Sequence, residues 1–206
     1  GVEDVLKVIP DLSAEEIANT EFGKYTDRYF DDMERVTQGR CDSNLVDVLV
    51  HSSLETAQWM REHGVRFIPN YHSQGYTEDG KTRFRGGSTV VVSGGGMGLV
   101  EALFRALDKA AIPVIYETRA IALERGNEGI TAVRVQGPGG PHSIATRSVV
   151  IASGGFESNS EWRARYLGPG WDLAKVRGTR HNTGEGHRMA LDIGASTAGH
   201  WSGCHS

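Results

Sequence analysis

The chain has 206 residues, enough to bury a hydrophobic core in one or two domains, and apart from 27 glycines its composition is that of an ordinary globular protein. A formal charge of −4, with no basic run interleaved with aromatics, gives no reason to expect nucleic acid. Apolar runs are too short to span a bilayer, no secretory signal is visible, and Cys41 and Cys204 make no disulfide framework, so a soluble cytoplasmic protein is expected.

Taken in chain order, Ser13-Ala14-Glu15-Glu16 fits a capping box and predicts a short helix. Residues 21–37 carry Phe22, Tyr25, Tyr29, Met33 and Val36 at mostly helical spacing. A longer helix is predicted over residues 43–63, with Leu45, Val46, Leu49, Leu54, Ala57 and Met60 inward and Gly64 as its terminator. Residues 68–88, rich in Gly, Asn, Ser and charge, read as a long loop. From Thr89 the pattern becomes α/β, with a strand at 89–92, a helix at 99–111 and a buried strand at 113–116. Residues 118–124 and 130–135 alternate around the Gly126-Asn127 turn. A second turn at Pro138-Gly139-Gly140-Pro141 leads into 146–152, completing an antiparallel meander.

Two glycine bends follow. Ser148-Val149-Val150-Ile151-Ala152 reads as a buried strand that stops at Ser153-Gly154-Gly155-Phe156. Glycines at a strand end let backbone approach a ligand that side chains would exclude. Some thirty residues on, Asn182-Thr183-Gly184-Glu185-Gly186 opens a helix whose first turn offers free N–H groups beside a carboxylate. Together they suggest the wall of a cofactor site.

Other chemistries fit less well. Val90-Val91-Val92-Ser93-Gly94-Gly95-Gly96-Met97-Gly98, followed by a helix and by Glu117 about 20 residues on, has the outline of a dinucleotide fingerprint. Its third glycine would fall at Leu99. His181, His187, His200, Cys204 and His205 crowd the last third without chelating spacing, so no metal is assigned. There is no Gly-x-Ser-x-Gly elbow for a serine nucleophile.

The two bends in combination resemble the FAD-dependent fumarate reductase and succinate dehydrogenase flavoproteins. There a strand ending Ala-Thr/Ala-Gly-Gly-Phe precedes an arginine- and tyrosine-bearing helix, then Thr-Gly-Asp-Gly. Here that helix contains Trp162-Arg163-Ala164-Arg165-Tyr166-Leu167. Trp201-Ser202-Gly203-Cys204-His205, Arg35-Val36-Thr37-Gln38-Gly39-Arg40 and the stretch from Trp59 to Phe67 look more narrowly like FAD-dependent tricarballylate dehydrogenases.

The resemblance implies an α/β fold: a partial, Rossmann-like FAD-binding domain with an antiparallel meander insertion and a helical N-terminal part, lacking the first nucleotide-binding βαβ unit. It divides the chain into a helical segment and loop (1–88), the partial FAD-binding domain (89–199) and the start of a substrate domain (200–206). FAD is the implied cofactor. Ala152, Ser153, Gly154 and Gly155, with Thr183, Gly184, Glu185 and Gly186, would line it, and Ala120, after Thr118-Arg119, would offer backbone to the adenine. Ser153 stands where threonine or alanine is usual, and Glu185 where aspartate is. His205 would hold a carboxylate of the substrate.

The implied reaction oxidises a saturated carbon–carbon bond of a di- or tricarboxylate, tricarballylate-like, by hydride transfer to flavin, with an electron-acceptor protein as partner. The family's arginine base would lie beyond residue 206, so no catalytic residue is assigned. The chain alone is expected to be inactive and to bind FAD weakly. Two alternatives stay open: an NAD(P)-binding oxidoreductase using Gly94, Gly98 and Glu117, and a non-catalytic module with residues 13–64 as its interaction surface.

Overall fold

Helix-forming signals dominate the first third of the chain. In the computed structural model, which describes residues 1–23 and 25–203, they give α1 (Val2–Val8), α2 (Ala14–Asn19), α3 (Thr26–Thr37) and α4 (Ser43–Glu62). The capping box forms as its spacing predicts: Glu16 N–H donates to Ser13 Oγ at 3.2 Å, and Ser13 N–H donates to the Glu16 carboxylate at 2.9 Å. Asp42 caps α4 by accepting from the N–H groups of Asn44 and Leu45. Gly64, at φ 93°, ends it, and Val65 N–H returns to the Met60 carbonyl at 3.0 Å.

The inward face predicted for α4 is half right. Leu54, Ala57 and Met60 pack on the core and Val46 is buried, but Leu45 is 68% exposed and Leu49 is exposed too. Helix α3, which packs beside α4, buries none of its own residues and so covers little of this face. The core lies further on, where Val5, Val8 and Ile9 meet Phe22, Val65, Phe67, Phe84 and Ala102. Phe84 stacks between Phe22 and Tyr71, with centroids 5.9 and 5.8 Å away.

The long loop predicted over 68–88 is instead ordered into regular elements: β1 (Phe67–Pro69), α5 (Tyr71–Gln74), β2 (Gly75–Glu78) and β3 (Lys81–Phe84), then a 3-10 turn over Arg85–Gly87. Asp79 and Gly80, both at positive φ, make the two-residue turn between β2 and β3, the conformation an Asp-Gly pair favours in hairpins. β4 (Val90–Val92) forms where expected and pairs antiparallel with β1. Helix α6 (Gly95–Lys109) starts four residues before the predicted Leu99, because the glycine run itself makes the first turn.

The chain divides into two compact units, residues 1–113 and 114–206. In the second, β5 (Arg119–Gly126), β6 (Gly129–Gly137) and β7 (Gly140–Ala145) form an antiparallel meander, turning at Asn127-Glu128 and Pro138-Gly139; its first two strands fall where predicted, but the third follows the second turn directly at 140–145 and not at 146–152. Leu123, Ala132, Val135 and Met189 are its buried apolar residues. Then come α7 (Ser160–Leu167), a 3-10 turn over Trp171–Leu173, and α8 (Glu185–Asp192).

Two predicted buried strands do not form. Residues 113–116 and 148–152 join no ladder among the described residues, and Ile115 is 61% and Val150 92% exposed. An apolar run becomes a strand only when a neighbouring strand takes its N–H and C=O groups in a ladder, and neither run belongs to one among the described residues. Every pair of named strands is antiparallel, with one isolated parallel bridge between Thr20 and Thr82, and no described helix is long and apolar enough to cross a membrane.

Candidate functional site

The two glycine bends touch. Gly184 N–H donates to the Gly155 carbonyl at 3.1 Å and Ser158 N–H to that of Asn182 at 2.9 Å. Asn159 fastens the pair with both ends of its amide: Nδ2 donates to the Thr183 carbonyl at 3.0 Å, and Oδ1 accepts from Trp162 N–H to cap α7. Gly154 and Gly184 both occupy left-handed conformations, at φ 74° and 81°.

The glycines have a reason that the sequence alone does not disclose. A Cβ on Gly154 would come within 2.5 Å of Asn182 Oδ1, and one on Gly184 within 2.8 Å of Trp162 Cε3. On Gly186 it would reach the Ser153 hydroxyl. The space a side chain would occupy is filled by the opposite bend, so glycine is demanded first by the closeness of two stretches of protein. The surface they offer outward is backbone: Ala152, Ser153 and Gly154 are exposed and Gly155 half-buried, whereas Gly184 and Gly186 are buried and Thr183 half-buried.

Beside this surface, α8 begins at Gly184, whose carbonyl accepts from Arg188 N–H at 2.9 Å. The N–H groups of Glu185, Gly186 and His187 therefore have no acceptor within the helix and mark its positive end. Half-buried Glu185 turns to Arg119 and forms an ion pair with it. Arg119 opens β5 next to Ala120, which pairs with Val135 just before a register shift. The ion pair thus joins the strand of Ala120 to the first turn of α8. His205 lies outside the described residues.

Two features behind the bends escaped sequence reasoning. Phe156, Trp162, Tyr166, His187 and Trp201 form one aromatic cluster: Tyr166 and Trp201 are 4.9 Å apart by centroid, and His187 meets Trp201 edge-on at 5.5 Å. His187 Nδ1 is buried there without a hydrogen-bond partner among the described residues. Arg163, 7% exposed, donates to the carbonyls of Glu157, Trp171, Asp172 and Ala174, tying α7 to the loop after it. The i, i+4 spacing of Trp162 and Tyr166 was a usable signal; the remote Trp201 was not.

The Gly94 to Gly98 loop lacks the setting of a dinucleotide fingerprint. β4 belongs to a two-stranded antiparallel ribbon, and Glu117, at φ 52°, ends no strand. A Cβ on Gly98 would overlap the Ser93 carbonyl, so that glycine serves the turn itself.

Comparison with known proteins gives the chain's likenesses. The FAD binding domain family matches residues 16–201. The chain is 28% identical over 157 residues to the probable fumarate reductase Ifc3 of Shewanella frigidimarina (strain NCIMB 400), covering 75% of this chain and 26% of that protein. It is 28% identical over 149 residues to the NADH:fumarate oxidoreductase of Klebsiella pneumoniae (strain 342), covering 72% of this chain and 16% of that one. The chain thus spans about a quarter or less of these relatives. Among solved structures, the open conformation of a flavocytochrome c3 fumarate reductase superposes with a TM-score of 0.70 at 24% identity, over 84% of this chain and 30% of that one. The 3-ketosteroid-delta4-(5alpha)-dehydrogenase of Rhodococcus jostii RHA1 gives 0.71 at 16% identity, over 89% and 44%. These likenesses establish the fold.

Proposed function

The chain belongs to the FAD binding domain family of the fumarate reductase and succinate dehydrogenase flavoproteins, with FAD as its cofactor, and from this premise we propose that it is part of a dehydrogenase acting on a di- or tricarboxylate. Tricarballylate is the favoured acid, on the resemblance carried by Trp201-Ser202-Gly203-Cys204-His205 and by the stretch from Trp59 to Phe67.

The locked pair of bends carries the reading. The Gly184 to Gly155 hydrogen bond sets exposed backbone at 152–154 beside the first turn of α8, a surface of amide groups with few side chains in the way. Such a surface fits FAD, a large group with many hydrogen-bond acceptors and an anionic pyrophosphate. In this reading the backbone of Ala152, Ser153, Gly154 and Gly155 and of Thr183, Gly184, Glu185 and Gly186 holds the cofactor, with Ala120 at the adenine. Because Glu185 is already neutralised by Arg119, its carboxylate leaves the positive end of α8 available to the cofactor's anionic part. His205 would hold one carboxylate of the acid, and no general base is assigned to this chain. When bound, FAD supplies the redox chemistry, taking up the two electrons released as the acid loses two hydrogens.

The test is anaerobic mixing of the FAD-loaded intact dehydrogenase that contains this chain with tricarballylate, succinate and acetate. Loss of the flavin's visible absorbance with tricarballylate, weaker with succinate and absent with acetate, is the expected outcome. A flavin that dithionite bleaches but no di- or tricarboxylate does would overturn the reading.

A further inference from the structure

The front unit has its own cleft of about 760 Å³, lined by none of the residues assigned to FAD, where Arg28 of α3 and the β2–β3 hairpin meet. Its lining is unusual in charge: Arg28, Arg83 and Arg85 against one acid, Glu21. The three guanidiniums are not equivalent. Arg83 Nε donates to Glu21 at 2.8 Å and its Nη1 to Glu78, and these bonds hold its pKa above the ordinary arginine value. Arg83 is therefore compensated and fixed. Arg28 and Arg85 have no carboxylate within ion-pair distance among the described residues. Asp32, one turn beyond Arg28, is already held by Arg35 at 2.7 Å, and Arg85 lies over the Tyr76 ring, 5.9 Å from its centroid.

The wall between them is rigid. The Tyr25 ring is wedged between Gly23 and Gly87, where an added Cβ would come within 2.7 and 2.6 Å of it, and its hydroxyl donates to the Phe84 carbonyl at 3.3 Å. Arg28 feels the nearby Asp32 charge without an ion pair to it, and both Arg28 and Arg85 present exposed forks that match carboxylate oxygens two at a time.

We propose that this cleft binds a small polycarboxylate, with Arg28 and Arg85 each gripping one carboxylate and Tyr25 and Tyr76 forming its walls. The choice of carboxylate over other anions rests on the function proposed above; the existence of an anion site does not.

Calorimetric titration of the full chain with tricarballylate tests the assignment, with inorganic phosphate as the competing probe. The expected result is saturable binding that weakens at least tenfold in the Arg28→Gln/Arg85→Gln variant and is partly restored in Arg28→Lys/Arg85→Lys. Amide shifts should centre on Tyr76 and Arg85, and thermal unfolding should be unchanged because both arginines are exposed. Unchanged affinity in the glutamine variant would overturn the site while leaving the flavin-bleaching test untouched. Displacement by equimolar phosphate would reduce it to an undiscriminating anion patch and overturn it as a polycarboxylate site. Arginine-dependent binding together with a flavin that no polycarboxylate bleaches would sink the proposed function and leave the cleft standing.

Discussion

At Gly184 two independent penalties meet. The backbone is left-handed, which costs a residue with a Cβ about 1–2 kcal/mol, and the Cβ would press on Trp162 and on Phe156, 2.9 Å from its Cβ, adding roughly 1–3 kcal/mol of overpacking. Gly184→Ala should therefore lower the unfolding free energy in urea by about 2–5 kcal/mol. Gly139→Ala is the control: nothing lies within 4 Å of its Cβ position and its φ is not left-handed, so it should stay within about 0.5 kcal/mol of the parent. Arg163 makes the complementary case, a buried cation whose partners are all carbonyls. Arg163→Met leaves four carbonyls short of a donor and should lose about 3 kcal/mol. Arg163→Lys should recover little, since one ammonium cannot span the carbonyls that a planar fork reaches. A lysine variant as stable as the parent would show that charge alone suffices there.

Among the elements, α2 depends on a reciprocal cap, and that cap titrates. Hydrogen bonds from the Ser13 backbone N–H and then its hydroxyl favour the charged Glu16 carboxylate and lower its pKa below the ordinary glutamate value. A depressed folded pKa means that the stabilisation is present above the unfolded value and is lost as pH falls through the folded one. Amide protection factors in α2, corrected for the intrinsic pH dependence of exchange, should accordingly fall on the acid side of about pH 4.3, modestly because Glu16 is exposed. Ser13→Ala, which keeps the backbone donor, should raise the Glu16 midpoint slightly in a carboxyl-carbon NMR titration; an unmoved midpoint would remove the hydroxyl as a cause and leave the backbone N–H alone. What was legible in the sequence follows the same division. Caps, turn residues and amphipathic spacing act within a few residues, so α2, α4 and the first two strands of the meander could be read directly. The Asp79-Gly80 hairpin was equally local but lay hidden in a polar stretch read by composition. The strands expected at 113–116 and 148–152 depend on partners far away in the chain, which no local pattern encodes. The bends could be recognised, whereas their contact through Asn159 and Asn182 could not, because glycine spacing records a close approach without naming the neighbour.

For the whole molecule, two units with separate cores predict two separable folding bodies. The apolar residues of the first centre on Phe84 and Val65, and those of the second on Leu123, Val135 and Met189. Residues 111–117 join them without regular structure, all exposed, save that Ala111 and Glu117 are at positive φ, uncommon for residues with side chains. Proteases act where backbone can be drawn into an extended conformation without breaking a core, and exposed segments between cores meet that condition. Brief digestion of the native chain with chymotrypsin should therefore cut first within 111–117, giving two fragments that resist further cleavage and whose masses match residues before and after the cut. Urea unfolding followed by tryptophan fluorescence should then separate into two transitions: Trp59 reports the first unit, and Trp162, Trp171 and Trp201 report the second. First cleavage inside the β2–β3 hairpin, or a single transition shared by all four tryptophans, would mean that the two cores fold as one and that the division at Pro113 has no energetic counterpart.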